Sequence, residues 1–340
     1  MQDEDGVARL AKEGLFEVMD DIDADYENLV QTVFAIANSC RSVASNHSSR
    51  RISASTRALL EKRRNMDRQE NHIEYTLLSA RNERTVLEGT LPFLLSEVRH
   101  AIEKMPRGKA PGKDGISMEL LQACGPPLYR ALARRYTRYL AECTVPMAWK
   151  QSSTVLLFKK GDKEDLANYR PITLLPAVYK IFTRCILARI RSTLEEAQPV
   201  EQAGFRRNFS TLGHIATCRR LIEVSREQRL SLVMTFIGYK KAFYSVEPVK
   251  VWEALEGQGV ERIYVDVVRE CYSDCTTVLH PFYNDVVVAV QKRVRQGDPI
   301  SSNLFYACLR HVIRRCNWSN FDVTSTVFVS TICDLKVTSC

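Results

Sequence analysis

Apolar residues recur every three to four positions along much of this chain, and each such stretch predicts an amphipathic helix. Tyr26, Leu29, Val30, Val33, Phe34 and Ala37 mark one over residues 26–37. Leu94, Leu95, Val98, Ala101, Ile102 and Met105 mark a second, which Pro106 ends. Helical patterns also cover 118–123 and 128–143, the latter with Arg130, Arg134, Arg135 and Arg138 assigned to its wetter side. A strong pattern over 179–194 turns Ile181, Phe182, Ile186, Ile190 and Leu194 inward, and further helices are predicted over 212–226, 251–259 and 264–272. Period-two stretches fall between them. Residues 154–158 and 169–175 flank a Lys160-Gly161-Asp162 turn and read as a hairpin. Residues 278–290 alternate as a second hairpin, with Tyr283, Asn284 and Asp285 at its turn. The apolar run 230–235 reads as a buried strand that turns into a helical pattern at 249–255. The fold class is therefore mixed α/β.

Composition adds little to this picture, and charge adds more. At 340 residues, 45% hydrophobic and 26% charged, the chain can bury a full core in one large domain or two small ones. A formal net charge of +8 favours polyanionic partners such as nucleic acid. The sign changes along the N-terminal third. Asp20, Asp21, Asp23, Asp25 and Glu27 crowd together, and Arg50, Arg51, Arg57, Lys62, Arg63, Arg64 and Arg68 follow. The basic segment reads either as an arm that contacts nucleic acid or as a solvated helix face capped by Ser53 or Ser55. Eleven cysteines without a framework spacing read as reduced thiols, which places the chain inside the cell, in nucleus or cytoplasm. Cys271-x3-Cys275-x4-His280 lacks a fourth ligand at a suitable spacing, so no zinc site is assigned. No apolar run approaches a membrane span and the acidic N-terminus is not a signal peptide, so no membrane partner is expected.

Three stretches carry candidate chemistry. RGKAPGKDGI, residues 107–116, has the glycines and lysines of a phosphate-cradling loop, but the spacing from Gly108 to Gly112 is one residue short and Asp114 stands where Ser or Thr is needed. The hairpin over 154–175 collects Lys159, Lys160 and Arg170, which reads either as a cationic clamp for a nucleoside triphosphate or as an ordinary solvated edge. In FIGYKKAFYSV, residues 236–246, a strand ends in a turn and re-enters a helix. Two-metal polymerases place a carboxylate at such a point, where it holds Mg²⁺ against the attacking and leaving oxygens. Phe243 alone reads as a core residue.

Taken in order, these blocks resemble the reverse transcriptases of non-LTR (LINE-type) retrotransposons. FIGYKKAFYSV is similar to the family's F-I-D-x-x-K-A-F-D-x-V, with Gly238 and Tyr244 at the two aspartate positions. Lys-Ala-Pro-Gly-x-Asp-Gly, K-K-G-D…N-Y-R-P-I, the Q-x-G-F-R-x(3)-S-T block over 202–211 and VRQGDPISSNLF over 294–305 match further motifs. In the last, Arg293 replaces glycine and Ser302 replaces proline. The stretch RISASTRALLEKRRNMDR resembles the connector that precedes the polymerase in such elements.

The resemblance implies a right-hand polymerase fold. Its parts are a helical N-terminal connector over 1–93, fingers over 94–229, an incomplete palm over 230–318 and a divergent tail over 319–340, with no thumb. It implies that Lys159 or Lys160, with Arg170, contacts the incoming nucleotide. Phe243 would lie beside its sugar, excluding a 2′-hydroxyl, and Gln296 and Gly297 would border the templating base pair. Lys109, Lys113, Arg206 and Arg295 would contact nucleic acid. RNA template and DNA primer are the implied partners and Mg²⁺ the implied cofactor. With Gly238 in place of the first carboxylate, and no (F/Y)-A-D-D after 318, where Asp334 is a single aspartate within the apolar stretch TICDLKV, no productive metal binding and no catalysis are expected. The alternatives are a non-catalytic RNA- or DNA-binding module, and an enzyme completed by another chain. A palm sheet without its central hairpin also predicts low stability and aggregation.

Overall fold

The computed structural model describes residues 15–41, 91–197, 211–229, 231–232, 234, 242–279, 285–290 and 294–315. The chain divides into two units, Met1–Ile186 with Asp266–Val290, and Leu187–Val265 with Gln291–Cys340.

In the first unit, helix α1 (Ile22–Arg41) opens with Asp23 and Asp25 in its first turn, where the exposed N–H groups favour acids. Asp21 Oδ1 accepts the Ala24 N–H at 2.7 Å. The predicted face is buried: Tyr26, Leu29, Val33 and Ala37 are all at most 6% exposed. Helix α2 (Leu95–Glu103) starts where Glu97 Oε2 accepts the Leu94 N–H, and helix α3 (Met118–Cys124) where Ser117 Oγ accepts the Leu120 N–H. Helix α4 (Pro126–Ala141) has proline in its first turn, at the position that lacks a helical N–H partner anyway. The single turn α5 (Met147–Lys150) carries Trp149 into the centre of the core. Helix α6 (Ala177–Glu196), which from Leu187 on belongs to the second unit, buries Ile181, Phe182, Ile186, Ile190 and Leu194, as its period predicts.

One arginine departs from expectation. Arg135 is not on the wetter side of its helix: it is 1% exposed. Its Nε and Nη2 donate to the two carboxylate oxygens of Asp25, at 2.8 and 2.7 Å. Its Nη groups also donate to the carbonyls of Phe16, Glu17 and Ala131. Burial of the guanidinium is tolerable because so many of its N–H groups have acceptors and the charge is matched. Arg138, one turn on, donates to the carbonyls of Met19 and Asp20, and Asp23 Oδ1 accepts the Met147 N–H at 2.6 Å. Residues 16–26 are thereby bound into the first unit.

The sheet has four strands in the order β2-β1-β3-β4. β1 (Gln151–Phe158) and β2 (Tyr169–Leu174) form the first predicted hairpin, antiparallel, with Leu157 opposite Arg170 and Phe158 opposite Tyr169. β3 (Thr276–Leu279) and β4 (Val286–Ala289) form the second. β1 and β3 run parallel, Gln151 opposite Thr276, and join the hairpins. Thr154 and Thr277 share a hydroxyl hydrogen bond of 2.7 Å across this seam. Just before it, Lys150 Nζ donates to Glu270 Oε1 at 2.6 Å and to Ser273 Oγ at 2.9 Å. Helix α10 (Arg262–Tyr272) leads into β3. Chain order alone groups β3 and β4 with residues 230–318, whereas their hydrogen bonds set them beside β1.

The β4 edge is apolar and exposed, with Val287 66% accessible. Such an edge invites pairing with another chain. Val287→Lys is expected to lower aggregation of the purified chain without changing its unfolding free energy by more than about 0.5 kcal/mol, as for most surface substitutions. Light scattering during a slow temperature ramp checks this.

In the second unit, helix α7 (Thr211–Glu227) confirms the predicted helix, and the short helix α8 (Ala242–Ser245) follows the FIGYKK segment. Helix α9 (Pro248–Gly257) packs against helix α11 (Ser301–Arg315), and Gln258 Nε2 donates to the Ala307 carbonyl at 3.0 Å. Of the predicted buried strand over 230–235, residues 231, 232 and 234 are described and form no strand, with Leu232 43% exposed; the other three lie outside the described residues, as do Gly238, Arg206, His280, Arg293, Asp334 and residues 42–90. No helix among the described residues is long and apolar enough to cross a membrane.

Candidate nucleic-acid and nucleotide interface

The loop over 107–116 is held at several points. Gly112 lies against the backbone of Leu175 and Pro176: a Cβ there would stand 2.5 Å from the Pro176 nitrogen, so any side chain would displace the loop. Gly115 takes φ +70°, a region favourable to glycine. Asp114 turns inward, where its Oδ2 accepts the Tyr26 hydroxyl at 2.7 Å and its Oδ1 the Ile116 N–H at 3.3 Å. Arg107 Nε donates to Gln122 Oε1 at 2.7 Å, and the Gly108 N–H donates to Glu119. Lys113 Nζ donates to Gln151 Oε1 at 2.7 Å, at the start of β1. Lys109 and Lys113 are exposed. This is a fixed loop that presents lysines outward.

Burial raises the Asp114 carboxyl above its ordinary value of 3.8, while the Tyr26 hydroxyl, the Ile116 N–H and the charge of Lys180 pull it back. A carboxyl raised by folding supports stability fully below the ordinary aspartate range, and that contribution is lost as pH rises through the raised value. The stability difference between wild type and Asp114→Asn, measured by urea unfolding over a pH series, should therefore shift against the wild type as pH climbs above about 3.8. A difference that grows in favour of the wild type over that window would contradict this.

The β1–β2 hairpin ends in a built loop. The Lys159 N–H donates to the Asn168 carbonyl at 2.9 Å, extending the ladder by one step. Gly161 has φ +98°, and a Cβ there would meet Asn168 Nδ2 at 2.8 Å. Asn168 Nδ2 donates to the Asp162 carbonyl, and the Tyr169 hydroxyl to the Lys163 carbonyl, both at 2.9 Å. Lys159 and Lys160 are exposed and Arg170 is half-buried. Arg170 faces Leu157 across the ladder, so by strand alternation it shares a face with Lys159 rather than Lys160.

The second unit brings two other motifs together. The Val294 N–H donates to the Phe243 carbonyl at 3.1 Å, and the Phe243 ring stacks on Phe305 with centroids 5.0 Å apart. Between them the Arg295 carbonyl accepts the Asp298 N–H, closing a turn with Gln296 and Gly297 at its centre. Gly297 takes φ +121°, which a side-chain-bearing residue adopts only with strain. Asp298 is 6% exposed and its Oδ1 accepts the Ile300 N–H at 3.2 Å, leading into α11. Arg295 is 3% exposed, so its side chain meets the interior of this unit. Phe243 is half-buried, as both its core reading and a place beside a ligand require.

Mg²⁺ chemistry needs clustered carboxylates. Gly238 brings none, and the described residues contain no group of three His, Cys, Asp or Glu able to hold a metal ion.

Sequence reasoning did not single out the contact between Tyr26 and Asp114. By its spacing Tyr26 is an apolar helix position, and only its neighbour across 88 residues reveals the use of its hydroxyl.

The sequence profile of the family described as reverse transcriptase (RNA-dependent DNA polymerase) matches residues 158–330, half of the chain. The chain is 27% identical to the transposon TX1 uncharacterized 149 kDa protein of Xenopus laevis over 63% of its own length and 16% of that protein's. It is 28% identical to the retrovirus-related Pol polyprotein from type-1 retrotransposable element R2 of Popillia japonica, over 65% of its own length and 30% of that protein's. It is 30% identical to the RNA-directed DNA polymerase from mobile element jockey of Drosophila melanogaster, over 44% and 17%. The chain thus spans less than a third of the length of these relatives. On the profile match and these likenesses, the chain belongs to the reverse transcriptase (RNA-dependent DNA polymerase) family, of the kind found in non-LTR retrotransposons.

Proposed function

We propose that this chain is a reverse transcriptase domain that does not synthesise DNA. The observation that carries this reading is Gly238 at the position of the first metal-binding aspartate. Without that carboxylate the first site cannot hold Mg²⁺ against the reacting oxygens, and losing such stabilisation costs several kcal/mol at the transition state. The fingers comprise the first predicted hairpin and the 107–116 loop, and the palm comprises the segment from 230 to 318.

Within that frame the residues keep recognisable tasks. Lys159 and Arg170 share a face of the β1–β2 ladder and would meet the phosphates of a nucleotide, with Lys160 at the tip. Phe243, held against Phe305, would border the sugar. Gln296 and Gly297 form the centre of a tight turn whose backbone can approach a base pair closely. Lys109, Lys113 and Arg206 would contact template or primer backbone, while the buried Arg295 would act from beneath the turn. Incubation with a primed RNA template, dNTPs and Mg²⁺ or Mn²⁺ tests the reading: no extended primer is expected.

A second reading, a non-catalytic RNA- or DNA-binding module, is favoured by the exposed lysines on a fixed loop. It predicts retardation of the template that weakens steeply with salt, because phosphate contacts release counterions.

A further inference from the structure

Among the elements of the first unit, α1 touches the basic loop through a polar contact. The Tyr26 hydroxyl donates to Asp114 Oδ2 at 2.7 Å. Tyr26 is itself immobile, since it is 2% exposed and its ring lies edge-on to Trp149 with centroids 5.8 Å apart. The helix that carries it is fixed independently by the Asp25–Arg135 pair and by Asp23 on the Met147 N–H. On the other side, Asp114 follows Lys113 directly, and its second oxygen holds the Ile116 N–H. Gly115 lies close to α1 as well, its missing Cβ 3.3 Å from the Phe34 ring.

We propose that Tyr26 is a positioning residue for nucleic acid: through Asp114, helix α1 sets the path of the loop that displays Lys109 and Lys113. This deepens the nucleic-acid reading above and rests on it. The inference reaches outside the segment that the family profile matches, since both Tyr26 and Asp114 precede residue 158. Its physical basis is leverage. Arg107 and Gly108 fix the start of the loop on α3, and Gly112 seats it on Leu175 and Pro176. The end at Asp114 is bound to a separate helix. Removing one hydroxyl leaves the Tyr26 ring and its packing in place but frees that end. A phosphate contact is sensitive to such freedom because the lysines must otherwise be ordered on binding.

Tyr26→Phe in the full chain tests this by two measurements. Limited trypsin digestion reads the loop itself, at the bonds after Lys109 and Lys113, with cleavage after Lys159 and Lys160 as the internal control. Fluorescence anisotropy with a labelled single-stranded RNA oligonucleotide reads binding. We expect loop cleavage to rise about three- to tenfold over the control sites, in line with the loss of one net hydrogen bond. RNA affinity should fall by a similar factor. Asp114→Asn leaves one oxygen for two donors, the Tyr26 hydroxyl and the Ile116 N–H, and should fall between wild type and Tyr26→Phe, whereas Asp114→Leu removes both acceptors and should loosen the loop at least as much as Tyr26→Phe. Unchanged loop cleavage in Tyr26→Phe overturns the proposal. So does raised cleavage with unchanged affinity, if Lys109→Ala with Lys113→Ala weakens RNA binding. A wild-type chain that binds no RNA instead removes the nucleic-acid reading. Cleavage still decides whether Tyr26 holds the loop.

Discussion

Replacing Asp25 with alanine is expected to destabilise the chain by about 3–5 kcal/mol, the typical result of removing one member of a buried ion pair. Asp25 is 0% exposed and Arg135 1%. Alanine would leave the guanidinium with its carbonyl acceptors but without a counter-charge, in a place water does not reach. The Met19 N–H, which Asp25 Oδ1 accepts at 2.9 Å, would lose its acceptor too. Arg135→Ala should cost about as much, for the converse reason. The double variant Asp25→Leu with Arg135→Met should recover most of the loss, because two apolar side chains leave no orphaned charge. Urea unfolding of the three variants, at constant m-value, checks the set. Singles that cost less than about 1 kcal/mol would show that the pair is solvated or relaxes freely.

Trp149→Ala carries the other large effect, about 3–5 kcal/mol for emptying a buried aromatic position. The indole is 0% exposed. Ring centroids of Tyr139, Phe182, Tyr179 and Tyr26 lie 5.3–5.8 Å from it, three of the four nearly edge-on. Such edge-to-face pairs add stability beyond the area they bury. The neighbours cannot collapse readily into the void, because several are pinned by their own polar ends: Tyr26 by Asp114, and Tyr136 by the Val178 carbonyl at 2.8 Å. Trp149→Phe should lose less than half as much. Equal losses for the two variants in urea unfolding would show that the indole's contacts, rather than its volume, set the cost.

Periodicity revealed the helices because each buries one face along a single stretch of chain. Ile181, Phe182, Ile186, Ile190 and Leu194 are legible in that way, and so are both hairpins, whose strands adjoin in sequence. The parallel seam between β1 and β3 was not legible, since it joins Gln151 to Thr276 with no local signal for the pairing. Arg135 shows the same limit. It stands four residues after Ala131 and four before Tyr139, both buried, which puts it squarely on the inward stripe. Charge argued for water and periodicity for the core, and the arbiter was a carboxylate 110 residues away. Asp25 gives the mirror case, four residues ahead of buried Leu29 yet placed among solvated acids by composition. The motifs of the candidate site were readable as text. What text could not supply was that Phe243 rests on Phe305, that Arg295 points inward, or that Asp114 serves Tyr26.

The most direct test of the proposed loss of catalysis is primer extension by the purified chain on a primed RNA template, with dNTPs and either Mg²⁺ or Mn²⁺. With Gly238 at the aspartate position, no primer should lengthen under either metal. An extended product that depends on the chain, and that disappears in Arg170→Ala, would contradict the account and show that carboxylates other than residue 238 assemble a working metal site.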